Sequence, residues 1–317
     1  MVRPKWIKSD REKFPKGEWF VEFFTRGEFH SHQIKRCISS YKTEFQTATL
    51  VETYSFGKVL IIDRETQSSE LDEFIYHESL VIPAILLSRK IPQTFAIMGG
   101  GEGATAREIL NYRAAKKVVM VDIDHNIVRF AKKYLKEWHR GSFDDDRVII
   151  LIQDAKKFIE NTNLSFDIIY SDLPSPIKGG PAYQLYTVEF YKKLKSKLTK
   201  NGILAIQAGP GHILQLELHI ALYHTLKKVF NNVLSYVSFI PSYDMPWSYL
   251  LASDYDIRVD KKLVDIHSKN FVKKFRYIDV EKFDAFLTIP KYMKDRVEEN
   301  KQIITEKKPM FFSTSRY

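Results

Sequence analysis

Between residues 92 and 254, apolar runs of strand length alternate with amphipathic stretches of helix length, and that alternation leaves few folds open. Runs at 94–98, 118–122, 148–152, 167–171 and 203–207 read as buried strands. Helical patterns occupy 104–112, 125–138, 155–160 and 187–198, and a longer helix follows at 213–230. Strands separated by helices pair in parallel, and such a sheet must be covered on both faces. The pattern therefore predicts a doubly wound α/β domain. Runs at 233–240 and 248–253 have no clear helix between them, which predicts an antiparallel hairpin at one edge.

Upstream, 47–53 and 58–62 are β-rich, and Ser55-Phe56-Gly57 reads as their hairpin connection. Residues 72–87 read as a helix. Three units result: an N-terminal β domain at 1–85, an α/β domain at 86–254 and a C-terminal appendage at 255–317. Residues 1–15 are charged and expected to be irregular. No apolar run approaches the roughly 20 residues needed to span a bilayer. The charged N-terminus does not resemble a secretory signal. The one cysteine, Cys37, excludes an intramolecular disulfide and is expected as a buried structural thiol. A cytoplasmic protein with no membrane partner is the expectation. The formal charge of +10 invites a nucleic-acid reading. Its lysines are scattered, however, as at Lys192-Lys193 and Lys227-Lys228, and no nucleic-acid module is visible. No nucleic-acid partner is expected.

The first four strands of the α/β domain end in chemistry. Gly99-Gly100-Gly101-Glu102-Gly103 lies between a strand and a helix, where glycines admit positive φ and close ligand approach. The next strand ends at Asp122, spaced from that loop like an acid that binds a ribose diol. The third ends at Asp154, placed to accept a bond from an adenine amino group. The fourth ends at Asp172, before a Pro/Gly-rich loop whose Gly179-Gly180 pair lets it move as a lid. A carboxylate at that point can position and deprotonate a nucleophile. Glu102 selects the ligand class. A dinucleotide would set its pyrophosphate against this loop, where a carboxylate repels it. An adenosyl sulfonium is cationic and carries no phosphate. Its decarboxylated form suits acid-lined surroundings best, because it presents only an ammonium. An adenosylmethionine-dependent methyltransferase and a catalytically silent basic binding protein remain as other classes.

These residues also resemble those of the spermidine synthase family of polyamine aminopropyltransferases. The resemblance runs from about Phe45 to Asp254 and rests on Phe45-Gln46, Gly57-Lys58-Val59-Leu60, Gln67 and Asp72-Glu73-Phe74-Ile75-Tyr76-His77-Glu78. The glycine loop, Asp122-Ile123-Asp124, Asp154-Ala155, Asp172, Leu185-Tyr186-Thr187 and Pro241-Ser242-Tyr243 complete it. Tyr76-His77-Glu78, Gly179-Gly180-Pro181 and Gln207-Ala208-Gly209-Pro210 look most like thermospermine synthases, and 137–145 is similar to prokaryotic members that use agmatine or triamines. The resemblance implies a Rossmann-like, methyltransferase-type sheet beside the small β domain. It implies transfer of the aminopropyl group of decarboxylated S-adenosylmethionine to an amine, releasing 5′-methylthioadenosine. That nucleoside is a cosubstrate, so no cofactor and no metal are expected.

The resemblance also implies roles. Gln46 and Asp122 would hold the ribose and Asp154 the adenine, with Gly99, Gly101, Ile123 and Ala155 beside the nucleoside. Glu102 and His77 would bind the aminopropyl ammonium. Asp172 would accept the proton of the attacking amine and Tyr76 would orient that amine. Gln67, Ser175, Gln207, Tyr243 and Trp247 would line the amine pocket. Glu70, Asp72 and Glu73 are expected to join the acids around the site. A homodimer or homotetramer is implied. Ser175 stands where many members carry Asp, and Gln207-Ala208-Gly209 lacks a nearby acid. Fewer distal acids favour a spermidine-type triamine or agmatine over putrescine.

Overall fold

The computed structural model describes residues 16–180 and 182–312; the expectation for 1–15 lies outside the described residues. Five strands come first: β1 (Glu18–Thr25), β2 (Glu28–Lys42), β3 (Thr47–Thr53), β4 (Gly57–Ile62) and β5 (Glu65–Ser69). They form one antiparallel sheet in chain order. The β3–β4 hairpin turns where the sequence places it. β2 is longer than expected and carries register shifts between Ile34 and Arg36 and between Cys37 and Ser39. Such irregularities change which face a side chain takes. Cys37 is accordingly exposed, not the buried thiol expected.

Helix α1 (Glu73–Leu86) follows, starting after Asp72. The sequence reading groups α1 with the N-terminal strands, but its Leu80, Val81, Ile82 and Ile85 are buried in the core of the second sheet. That part runs β6 (Thr94–Gly99), α2 (Ala104–Leu110), β7 (Lys117–Asp122), α3 (His125–Tyr134), α4 (Lys136–His139), β8 (Val148–Ile152) and α5 (Ala155–Asn161). It continues with β9 (Phe166–Asp172), α6 (Val188–Lys195), β10 (Leu198–Pro210), α7 (Glu217–Lys227), β11 (Asn232–Ile240) and β12 (Met245–Ser253). Helix 125–138 is thus two helices, broken at Leu135. The expected C-terminal appendage carries α8 (Lys261–Lys269), α9 (Phe283–Phe286) and α10 (Lys291–Glu299).

The seven strands run β11-β12-β10-β9-β6-β7-β8. β10, β9, β6, β7 and β8 are parallel neighbours. β11 and β12 form the expected antiparallel edge hairpin. Successive side chains of a strand face opposite ways. Phe95 and Ile97 therefore pack with α1, α2 and α3, while Ala96 and Met98 pack with α5, α6 and α7. β8 departs from expectation: it is an edge strand with Ile149 and Ile152 exposed. The order reverses between β6 and β9. At such a switch point the loops leaving the two strands part and open a crevice.

Candidate active site

Asp172 ends β9 opposite Gly99 of β6. The main-chain N–H of Gly100 donates to the Asp172 carbonyl at 3.1 Å. Gly99 sits at φ +83°, and a Cβ there would collide with that same carbonyl, so only glycine serves. The Asp172 carboxylate is held from two helices. Tyr76 of α1 donates its hydroxyl to Oδ1 at 2.8 Å. Thr105 of α2 donates to Oδ2 at 2.6 Å. Burial, and then the neighbouring Asp172 charge, raise the Tyr76 pKa well above its usual value, so this phenol stays a donor. Asp172, Tyr76, Gly99, Gly101 and Glu102 line one pocket.

His77 is not in the pocket wall. It lies buried behind Glu102, with Nε2 2.7 Å from Glu102 Oε1 and Nδ1 2.9 Å from Glu73 Oε2. Burial opposes its charge, but Glu102 and Glu73 overcome it and raise the His77 pKa to about 10. A cationic imidazolium repels an ammonium. The expectation that His77 binds one is therefore corrected: His77 anchors Glu102, which faces the pocket. Glu73 is likewise spent inside the protein. Burial raises its pKa, yet His77 and the Arg107 fork bring it down to about 2. Burial pushes Glu102 upward, opposed by His77.

Beside Glu102, Asp122 accepts from the Asp124 N–H at 2.8 Å. A Cβ on Gly101 would lie 2.7 Å from Asp122 Oδ2, so the bare glycine admits this carboxylate. Burial pushes Asp122 up to about 6. Gln46 donates to Asp124 Oδ2 at 3.0 Å, tying the N-terminal sheet to the end of β7. Asp154 Oδ1 caps α5 through the N–H groups of Lys156 and Lys157 at 2.7 and 3.1 Å. Gln46, Asp122, Ile123, Asp154 and Ala155 all reach the pocket.

The remaining expected residues, Gln67, Ser175, Gln207, Tyr243 and Trp247, line the same pocket. Gln207 is a brace there. Its amide donates to the Leu173 carbonyl at 2.7 Å, and its oxygen accepts from Trp247 Nε1 at 3.1 Å and from the Gly209 N–H at 3.0 Å. Tyr243 donates to the Gln67 carbonyl and packs edge-on against Trp247. The loop after Asp172 lends Leu173, Pro174, Ser175 and Ile177 to the wall. Its Pro176 carbonyl accepts from the Phe312 N–H at 2.7 Å.

Three expected acids lie elsewhere. Glu70 accepts from the Lys58 N–H, Asp72 holds Ser69 and Ser242, and Glu73 pairs with Arg107. None of the three lines the pocket. Two acids that sequence reasoning missed replace them. Glu22 of β1 and Glu65 of β5 line the pocket and are 4% and 9% exposed. Glu22 Oε2 accepts from the Thr66 N–H at 3.1 Å and lies 3.6 Å from His30 Nε2. Thr105 was missed as well.

An α/β sheet with carboxylates at or just past three strand ends, beside a small β domain, presents an acid-lined pocket suited to a transferase that handles a cationic ligand. Comparison with known proteins agrees. Residues 73–263 match the spermine/spermidine synthase domain, and residues 18–70 match the spermidine synthase tetramerisation domain. The chain therefore belongs to the spermine/spermidine synthase family. A polyamine aminopropyltransferase of Sulfolobus acidocaldarius is 42% identical over 295 residues, covering 92% of this chain and 97% of that protein. One from Saccharolobus solfataricus is 40% identical over 301 residues, covering 92% of this chain and 97% of the relative. A crystal structure of spermidine synthase in complex with the transition state analogue AdoDATO superposes with TM-score 0.82 at 27% identity, covering 92% of this chain and 100% of that one. The spermidine synthase of Thermotoga maritima gives 0.79 at 26% identity, covering 92% of this chain and 99% of that one. The protein is a transferase of the aminopropyltransferase kind. Among the described residues no helix is long and apolar enough to cross a membrane.

Proposed function

We propose that this aminopropyltransferase takes decarboxylated S-adenosylmethionine as donor and a spermidine-type triamine or agmatine as acceptor. Asp122 and Gln46 hold the ribose, Asp154 the adenine and Glu102 the aminopropyl ammonium. The neutral acceptor amine attacks the methylene carbon next to the sulfonium. A C–N bond forms, the C–S bond breaks with its electron pair staying on sulfur, and 5′-methylthioadenosine leaves. The amine proton passes to Asp172. Sulfonium is already an activated leaving group, so catalysis consists of positioning and proton acceptance.

The observation that carries the acceptor reading is the acid lining beyond Asp172. The preference for a longer amine first rested on a shortage of distal carboxylates, and that premise falls with Glu22 and Glu65 in the wall. The preference now has different support. Two buried carboxylates on the N-terminal sheet suit an acceptor with two further cationic centres, or a guanidinium with its several donors. A diamine offers them one ammonium. Product-isomer choice, including thermospermine, follows from which nitrogen meets Asp172. The tetramerisation-domain match supports a homo-oligomer built through this sheet. The test is incubation with the donor and putrescine, cadaverine, agmatine or spermidine, followed by mass spectrometry. Spermidine or agmatine should give the highest kcat/KM. Glu65→Gln should raise their KM more than that of putrescine. Putrescine as the best acceptor would overturn the reading.

A further inference from the structure

We propose that Thr105 is a positioning residue that, with Tyr76, fixes the Asp172 carboxylate in the plane the reaction needs. This rests on Asp172 as the proton acceptor. The two carboxylate oxygens are held separately, by one hydroxyl from α1 and one from α2. Rotating the carboxylate breaks both bonds at once. A threonine hydroxyl has one hydrogen to give. In a helix it commonly goes to a carbonyl in the preceding turn. Here it goes to Asp172, and Thr105 is fully buried, so water does not compete for it.

The geometry has a chemical consequence. Each carboxylate oxygen accepts in about two directions. The hydroxyls occupy one direction on each, and those left over serve the acceptor nitrogen in the pocket that Asp172 lines. Tyr76 alone would hold the carboxylate by one oxygen only. The Gly100 bond to the Asp172 carbonyl fixes the backbone beneath but not the side chain. Thr105 supplies the second point of attachment. It belongs to the reacting constellation without touching substrate: no wall position is its own.

The test is a double-mutant cycle with Asp172. Thr105→Val keeps the shape and removes the donor. It should lower kcat about 10- to 100-fold, the worth of one hydrogen bond to a charged group. KM for both substrates should stay within about twofold. Thr105→Ser should recover most of the loss while Thr105→Ala does not; that pair differs by the hydroxyl and stands in if the valine variant folds poorly. In an Asp172→Asn background, adding Thr105→Val should change kcat by less than about twofold, because coupled groups are not additive. Normal kcat in Thr105→Val, equal impairment of Ser and Ala, or the same fold loss in the Asp172→Asn background would overturn the proposal. Normal turnover of Asp172→Asn itself would instead remove the role of Asp172 on which it rests.

Discussion

Replacing His77 with glutamine tests whether a buried cation holds Glu102 in place. His77 titrates at about 10 in the folded protein against 6.5 when unperturbed. A pKa raised on folding stabilises the protein fully below the unfolded value and ceases to do so as pH rises through the folded one. The window therefore runs from pH 6.5 to about 10. Within it the stabilisation falls by about 1.4 kcal/mol per pH unit, roughly 5 kcal/mol in all. That is an upper bound, because Glu102 deprived of its partner takes up a proton in the variant and shallows the difference. Denaturant unfolding at fixed protein concentration, at pH 6.5, 8 and 9.5, gives the stability gap between wild type and His77→Gln. The gap should be several kcal/mol at pH 6.5 and shrink steadily as pH rises. A gap that stays constant, or widens, would refute the protonated His77 and the anchoring role built on it.

Asp172→Asn should lower turnover by about 10² or more, the range for a general base, with near-normal binding of the nucleoside in calorimetry. If Asp122 holds the ribose as proposed, cosubstrate affinity should weaken as pH falls through about 6, where Asp122 gains a proton; Asp122→Asn should flatten that dependence. The rate should climb into mildly alkaline pH, because a primary amine with a pKa near 10.4 must shed its proton before attack. Raising salt should raise KM for the amine, since a local acidic field captures it despite the net charge of +10.

The large sheet was legible because its central strands carry apolar runs, three of which end in Gly or Asp. Asp122, Asp154 and Asp172 fall at strand ends by periodicity alone, and the crevice follows from the topology. What comes from elsewhere was not legible. Glu22 reaches the pocket from a strand some 150 residues before Asp172 in the chain, by way of the Thr66 N–H. Thr105 looks like any first-turn helix residue until β9 is placed beside it. His77 was misassigned because nothing local reveals that Glu73 and Glu102 flank it inside the protein. Cys37 was misplaced because the shifts in β2 change its face. Side-chain contacts between distant segments, not local propensity, account for each miss.

On the proposed function, carboxylates in the pocket select a sulfonium nucleoside that has lost its own carboxylate. Calorimetric titration of the protein with decarboxylated S-adenosylmethionine and, separately, with S-adenosylmethionine measures that selection directly. Tighter binding of the decarboxylated form by about 100-fold is the predicted result, on the order of one buried charge repulsion of roughly 3 kcal/mol, with Glu102→Gln narrowing the ratio. Equal affinity for the two nucleosides would contradict it.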